Sequence, residues 1–276
     1  MTTGEHPDIR LISSDLNGTL VHQHTMMDMI RLYFPHEPER YDKAREAFAQ
    51  QTSGTLSMRE TFAVAGPLTK GLRLRDAIGY AWGKLDFLPG FEEMLRALHQ
   101  ERKCFIINST GYSVTTEVLK LRFGPEKFTR VICNHLVFGW EGEPQRRLTN
   151  GELLRAIKDF AAGKEDPRYD QIRSTGEVLL GIQNEQEKAS HLFRIAESLD
   201  IPRAAIAHIG DSMGDSGGII NVARNGGLGI AFNYNEPLRD YLESVLKSEA
   251  IPGRIVLVDP KGGTADLRNL WGLLMP

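Results

Sequence analysis

Short apolar, β-rich runs alternate along this chain with segments of helical apolar spacing, and that alternation restricts the fold more than any other feature. Strand-like runs fall at residues 9–14, 103–108, 130–134, 177–182, 204–209, 228–231 and 254–258. Between 89 and 102, Phe91, Met94, Leu95 and Leu98 recur on one helical face behind Pro89, the spacing and start signal of an amphipathic helix. Further helices are predicted at 112–123, 185–199, 212–224 and 235–247, with a short one near the end of the sequence. Repeated strand–helix–strand order predicts an α/β fold: a Rossmann-like parallel sheet with helices on both faces. Strands buried on both faces should be short and apolar rather than alternating, as these are.

One length breaks the pattern. From Asp15, at the end of the first strand, to Lys103 is 88 residues, whereas a strand–helix–strand unit needs about 30. The surplus holds helical pieces at 39–50, 57–65 and 74–84. An insertion at the C-terminal end of a strand lies over the crevice where open α/β sheets bind ligands. We therefore expect a small helical cap at residues 21–86, with 1–20 and 87–276 forming the catalytic core. The plain alternative is extra helices packed on the sheet away from any site. A second extra piece, between His135 and Arg173, suggests a hairpin around Phe138–Gly142, a helix at 151–162 and an exposed loop at 163–170. The sequence assigns residues 139–175 no role.

Composition excludes several classes of protein. The chain has 276 residues, 41% hydrophobic and 25% charged, with a net charge of −3. That profile suits a globular protein and provides no basic field for nucleic acid or an anionic membrane. No apolar stretch approaches the ~20 residues of a membrane span, and the first ten residues lack the charged-then-apolar pattern of a secretory signal. A cytoplasmic protein without nucleic-acid or membrane partners is expected. The two cysteines, Cys104 and Cys133, lack the paired spacing of a zinc or redox site. Cys104, in an apolar run, reads as a buried inert thiol; the sequence alone leaves a disulfide between the two open.

Polar residues collect at the predicted strand ends: Asp15, Asn17, Gly18 and Thr19 after the first strand, Ser109, Thr110 and Gly111 after the second, and Asp211 and Asp215 in GDSMGD after a later one. Lys188 opens a helix before that last strand. In a parallel sheet these ends converge on one edge, which brings three carboxylates, an ammonium, hydroxyls and loop amides together.

This set resembles the haloacid dehalogenase superfamily of aspartyl phosphotransferases. The family motif DxDGT reads DLNGT here, the strand ending in Ser or Thr reads FIINST, the lone Lys is Lys188, and GDxxxD reads GDSMGD. The order matches across residues 9–233. LPGFEEMLRAL before the second motif and the run from Val131 to Leu136 resemble the phosphoserine phosphatase-like branch. That branch more often shows Asn where Gly214 stands.

The resemblance implies a role for each residue. Asp15 would attack phosphorus and become an aspartyl phosphate, splitting one hard displacement into two easier ones. Mg²⁺ would be held by the Asp15 carboxylate, the Asn17 backbone carbonyl and Asp211, with Asp215 ligating directly or through water. An all-oxygen set of this kind suits Mg²⁺. Ser109 or Thr110, with the Thr110 and Gly111 amides, would hold the phosphoryl oxygens. Lys188 would offset charge between Asp15 and the phosphate; Lys158 and Lys164 lack the spacing to the fourth motif. The plain alternatives are a helix N-cap for Ser109, a solvated helix lysine for Lys188 and a surface acid for Asp215.

The departure is Asn17. Family phosphatases usually carry Asp there, as the acid for the leaving oxygen and the base for the hydrolytic water. An amide exchanges no proton usefully, and general acid–base catalysis is worth ~10²–10⁴-fold. Three readings follow: a leaving group that needs little protonation, a proton supplied by His22 or His24, or a protein that holds a phosphoryl group or phosphorylated ligand without turning it over. Other branches lack the second Asp and remain enzymes, so the change does not by itself mean inactivity. Dehalogenation fits poorly, because dehalogenating members need no magnesium and Asp211 and Asp215 are both present.

Phosphoserine phosphatases carry a cap Glu that pairs with the substrate amino group. An ungapped alignment puts His24 there, either as a substrate contact or as an ordinary capping histidine, and the cap Arg for the carboxylate has no clear match. The expected activity is Mg²⁺-dependent hydrolysis of a small phosphorylated metabolite other than phosphoserine. The alternatives are a phospho-ligand-binding protein and a phosphotransferase with an acceptor other than water.

Overall fold

A computed structural model describes residues 8–53, 55–164, 166–259 and 264–275. Of the segments discussed above, most of the N-terminal ten residues and one position of the 163–170 loop lie outside the described residues. The central sheet has eight strands: β1 (Leu11–Ser14), β2 (Cys104–Tyr112), β3 (Arg130–Trp140), β4 (Glu143–Arg147), β5 (Ile172–Leu179), β6 (Ile206–Gly210), β7 (Leu228–Phe232) and β8 (Arg254–Val258). Their order is β4-β3-β2-β1-β6-β7-β8, with β5 also paired to β3. The six strands from β3 to β8 along this order pair in parallel, as the alternating pattern predicts.

Strand faces separate because side chains alternate. Leu11, Ile106 and Ile206 point to the layer of α8 (Glu185–Ser198) and α9 (Ser216–Arg224), where they pack with Leu192 and Val222. Ile12, Phe105, Ile107 and Ile209 point the other way, towards α5 (Phe91–Gln100) and α6 (Ser113–Phe123). The four predicted apolar residues of α5 are all buried. Helix α10 (Glu236–Ser248) joins β7 to β8, and α11 (Trp271–Leu274) follows the last strand.

The long insertion forms α1 (Thr25–Tyr33), α2 (Pro38–Thr52), α3 (Met58–Ala65) and α4 (Leu74–Gly83). The last three match the predicted helical pieces; α1 was not predicted. The second insertion corrects one expectation. The run read as a strand at 177–182 is β5, which begins at Ile172 and pairs antiparallel to the far half of β3, on the opposite edge from the antiparallel β4. The parallel sheet thus carries an antiparallel extension, with α7 (Asn150–Ala161) between β4 and β5. The extension grips the first insertion: Gly71 N donates to Ser174 O at 2.9 Å, and Ser174 N to Leu72 O at 2.8 Å.

Cys104 is half-buried rather than buried, because it opens β2. Cys133 is buried, and both are free thiols. Burial pushes the Cys133 thiol up to about 11. No helix among the described residues is long and apolar enough to cross a membrane.

Candidate active site

β1 lies between β2 and β6, so connections leave it in both directions, the arrangement that opens a crevice at the strand ends. Asp15 follows β1, Ser109 to Gly111 lie in the last part of β2, and Asp211 follows β6. Lys188 sits in the first turn of α8 and is 2% exposed at its side chain, which removes the solvated-lysine reading. Its Nζ donates to Asp15 Oδ1 at 2.9 Å and to Asp215 Oδ1 at 2.5 Å.

One ammonium therefore serves a crowd of carboxylates. Burial pushes the Asp15 carboxyl up to about 6, against the opposing pull of Lys188. Burial, then the charges of Asp215 and Asp15, raise Asp211 well above the ordinary carboxylate value. Asp215 goes the other way: despite its burial, Lys188 and His208 hold it below the usual range. Asp215 Oδ2 also accepts the backbone N–H groups of Asp211 and Ser212, at 3.2 and 3.3 Å. Lys188 stays charged, since its two carboxylates outweigh the cost of burial.

Asp15, Asp211 and Asp215 each offer an oxygen, and these atoms all lie within 4.8 Å of one another. Three acids against one base leave negative charge in a buried space, and oxygen-only donors suit a hard divalent cation. The residues present thus fit a metal ion. Their frame is specific. Thr19 Oγ1 donates to Asp211 Oδ1 at 3.0 Å. Gly18 has φ +75°, and a Cβ there would meet Asp211 Oδ2 at 2.3 Å, so both conformation and space require glycine. Asn233 Nδ2 donates to Gly18 O at 2.6 Å and secures the same turn.

The cluster opens onto a cleft of about 330 Å³. Thr110 lines this cleft, whereas Ser109 is fully buried beneath it. The Ser109 hydroxyl accepts the Gly111 N–H at 3.1 Å, so that amide is already engaged. Asn17 lines the cleft too. Its Oδ1 accepts the Thr25 N–H at 3.1 Å, which fixes the amide orientation and leaves Nδ2 on the Gly111 side. His22 and His24 both line the cleft, and α2 roofs it with Phe48, Gln51 and Thr52. The His24 ring packs on Phe48 with centroids 4.3 Å apart, and burial lowers its pKa to about 4.

A family model described as haloacid dehalogenase-like hydrolase matches residues 12–170, more than half of the chain. The chain belongs to this family. It is 24% identical over 244 residues to a phosphoserine phosphatase of Archaeoglobus fulgidus, which covers 88% of this chain and 58% of that protein. It thus spans little more than half the length of that curated relative. Among solved structures, a phospho-aspartyl intermediate analogue of phosphoserine phosphatase superposes with a TM-score of 0.66 at 17% identity, over 97% of this chain and 99% of the other. A substrate-bound phosphoserine phosphatase complex gives 0.66 at 18%, over 96% and 98%. A haloacid dehalogenase family hydrolase from Salmonella enterica gives 0.62 at 18%, over 85% and 66%. At such identities the likeness speaks for the fold.

Within this haloacid dehalogenase-like chain, the three acids and the lysine expected at one sheet edge do lie together, while other polar residues around them were not singled out. Phe48 gave a weak signal, a lone phenylalanine in the polar helix α2. Asn108 and His208 were read as strand residues, yet both are fully buried polar groups. Asn108 Nδ2 donates to Lys188 O at 3.0 Å and ties β2 to the turn that carries the lysine. Asn134 joins three segments: Nδ2 donates to Thr110 O, and Oδ1 accepts the N–H groups of Gly181 and Ile182.

Proposed function

We propose that the chain is a Mg²⁺-dependent phosphomonoester hydrolase that works through phospho-Asp15 on a small phosphorylated metabolite. The observation that carries this reading is the Lys188 ammonium, shared between Asp15 and Asp215 beside a third carboxylate at the floor of an open cleft. Lys188 holds Asp15 ionised and aimed, so the carboxylate can attack phosphorus while the alcohol oxygen leaves. The same ammonium offsets charge as the phosphoryl group approaches. Thr110 lines the cleft where a phosphoryl oxygen would rest. Asp15, Asp211, Asp215 and the Asn17 carbonyl would hold Mg²⁺, which when bound supplies charge neutralisation between nucleophile and phosphate.

His24 argues against phosphoserine as substrate. A neutral imidazole stands in the cleft wall, and it offers a substrate ammonium no opposite charge. The helical segment 21–86 acts as a cap in this reading, with α2 as the part over the substrate.

A second reading is favoured by Asn17. With Oδ1 engaged by Thr25, the side chain turns an N–H₂ group to the other side, a permanent hydrogen-bond donor that cannot release a proton. It can orient a leaving oxygen but not protonate it. The chain would then hold its phosphoryl group for long periods, bind a phosphorylated ligand, or pass the group to an acceptor other than water.

One experiment separates these readings: phosphate release from an aryl phosphate with Mg²⁺, for wild type, Asp15→Asn and Asn17→Asp. Wild type is expected to turn over, and Asp15→Asn to lose all activity; retained activity would remove the covalent mechanism. Asn17→Asp keeps an acceptor for Thr25 and should accelerate turnover by up to ~10²–10⁴-fold. A silent wild type restored by Asn17→Asp would favour the second reading.

A further inference from the structure

Below the cleft, on the sheet face covered by α8 and α9, two polar side chains stand among apolar ones. Ser13 of β1 and His208 of β6 are register partners, and both are fully buried. Leu11, Ile106 and Ile206 on the same face are packed apolar residues. Burying a hydroxyl and an imidazole there costs free energy unless both are used. Ser13 Oγ lies 3.1 Å from His208 Nδ1. The other ring nitrogen, Nε2, is buried without a hydrogen-bond partner and faces Asp215 Oδ1 at 3.6 Å, an electrostatic contact beyond hydrogen-bond length. Helix α9 makes room for the ring at Gly218, where a Cβ would come within 2.4 Å of His208 Cδ2 and 2.5 Å of Nε2.

The partners decide where the imidazole proton sits. A carboxylate oxygen only accepts, so the nitrogen facing Asp215 needs the proton. Nδ1 then accepts from the Ser13 hydroxyl, which is free to rotate. We infer that His208 is a positioning residue for the reaction centre: with its proton on Nε2 and Ser13 donating to Nδ1, it steadies the Asp215 carboxylate that shares Lys188 with Asp15. Asp215 Oδ2 is already held by two backbone N–H groups, and Oδ1 by Lys188. His208 faces Oδ1 from within the core, and its Nε2–H dipole favours the carboxylate at that place. Its effect reaches phosphorus only through Asp215 and Lys188, so it should alter the rate of the chemical step and not substrate binding.

The rate part of this inference rests on the phosphatase reading; the tautomer does not. The first measurement is therefore ¹⁵N NMR of the full chain labelled at histidine, with His208 assigned by comparison with His208→Gln. The expected signature is a protonated Nε2 and a bare Nδ1. A proton on Nδ1 alone would overturn the inference, whatever the activity. The second measurement is aryl phosphate turnover. His208→Leu should lower kcat about threefold to tenfold, the scale of a polar contact to a buried charge weaker than a full hydrogen bond, with KM within about twofold. His208→Gln, whose amide nitrogen reaches the place of Nε2, should recover most of that loss. Wild-type kcat in a folded His208→Leu would overturn the positioning role. Should the leucine variant fail to fold, Ser13→Ala replaces it, with the imidazole signature as readout: a wild-type tautomer at wild-type sharpness there would remove Ser13 from the arrangement. A wild type inactive on every phosphate tried would sink the phosphatase reading and leave the NMR result to decide the tautomer.

Discussion

At the residue scale the least expected side chain is His24. It lines the cleft against Phe48, and burial holds its pKa at about 4 rather than the ordinary 6.5. The sign of the consequence follows from linkage. Between pH 6.5 and 4 the unfolded chain binds a proton at this imidazole and the folded chain does not, so stability falls as pH falls through that window and is fully present above it. At pH 5 the loss is on the order of 1–2 kcal/mol. His191 and His208 are lowered by burial in the same direction, so acid sensitivity as such does not single out His24. The difference between wild type and His24→Gln does. Thermal melts at pH 7 and pH 5 should show a smaller drop in Tm for the variant; parallel curves would mean that His24 titrates alike in both states.

At the element scale the antiparallel extension explains what the second insertion does. β5 hydrogen-bonds residues 71 and 72, and Thr69 Oγ1 and Ser174 Oγ lie 3.1 Å apart. Gly176 makes the close approach workable: it has φ +84°, and a Cβ there would lie 3.1 Å from Pro67 Cα. Gly176→Val combines left-handed strain with a clash between β5 and the turn after α3. It should destabilise by roughly 1–3 kcal/mol, and amide exchange should accelerate at residues 66–72 before it does in β1 or β6. Uniform acceleration across the sheet would show that the two insertions do not form a local unit. The same elements show where sequence reading stops. The meeting of the strand-end acids and Lys188 was legible because they stand at the ends of predicted parallel strands and in the first turn of a following helix, which converge on one sheet edge. Helix α1 was not, since its N-cap, His24, makes no side-chain cap bond. The acceptor for the Thr25 N–H is instead the Asn17 side chain, eight positions upstream of Thr25. β5 was placed late and in the wrong direction because its partner is the far half of β3, a tertiary choice that the polar run IRSTGEVL does not encode.

At the scale of the whole molecule, the sheet centre is built around an electrostatic imbalance. Parallel β1, β2 and β6 converge so that three carboxylates meet one ammonium, and repulsion is stored in the metal-free protein. Two opposite effects on stability follow from one substitution. Asp211→Asn removes a carboxylate whose pKa is driven up by burial and by its acidic neighbours, and the amide can still accept from Thr19. The metal-free variant should therefore melt higher than metal-free wild type. Mg²⁺ should stabilise wild type by about 2.7 kcal/mol at a concentration 100 times its Kd, roughly 5 °C for a chain of this size. The increment in Asp211→Asn should be much smaller, because a ligand and part of the attracting charge are gone. The two melting curves should thus cross in order as Mg²⁺ is added: variant above wild type without metal, wild type gaining and overtaking with it. An unchanged Mg²⁺ increment in the variant would remove Asp211 from the ion's ligands. A lower melting point in its metal-free form would mean that the carboxylate cluster is not under repulsion.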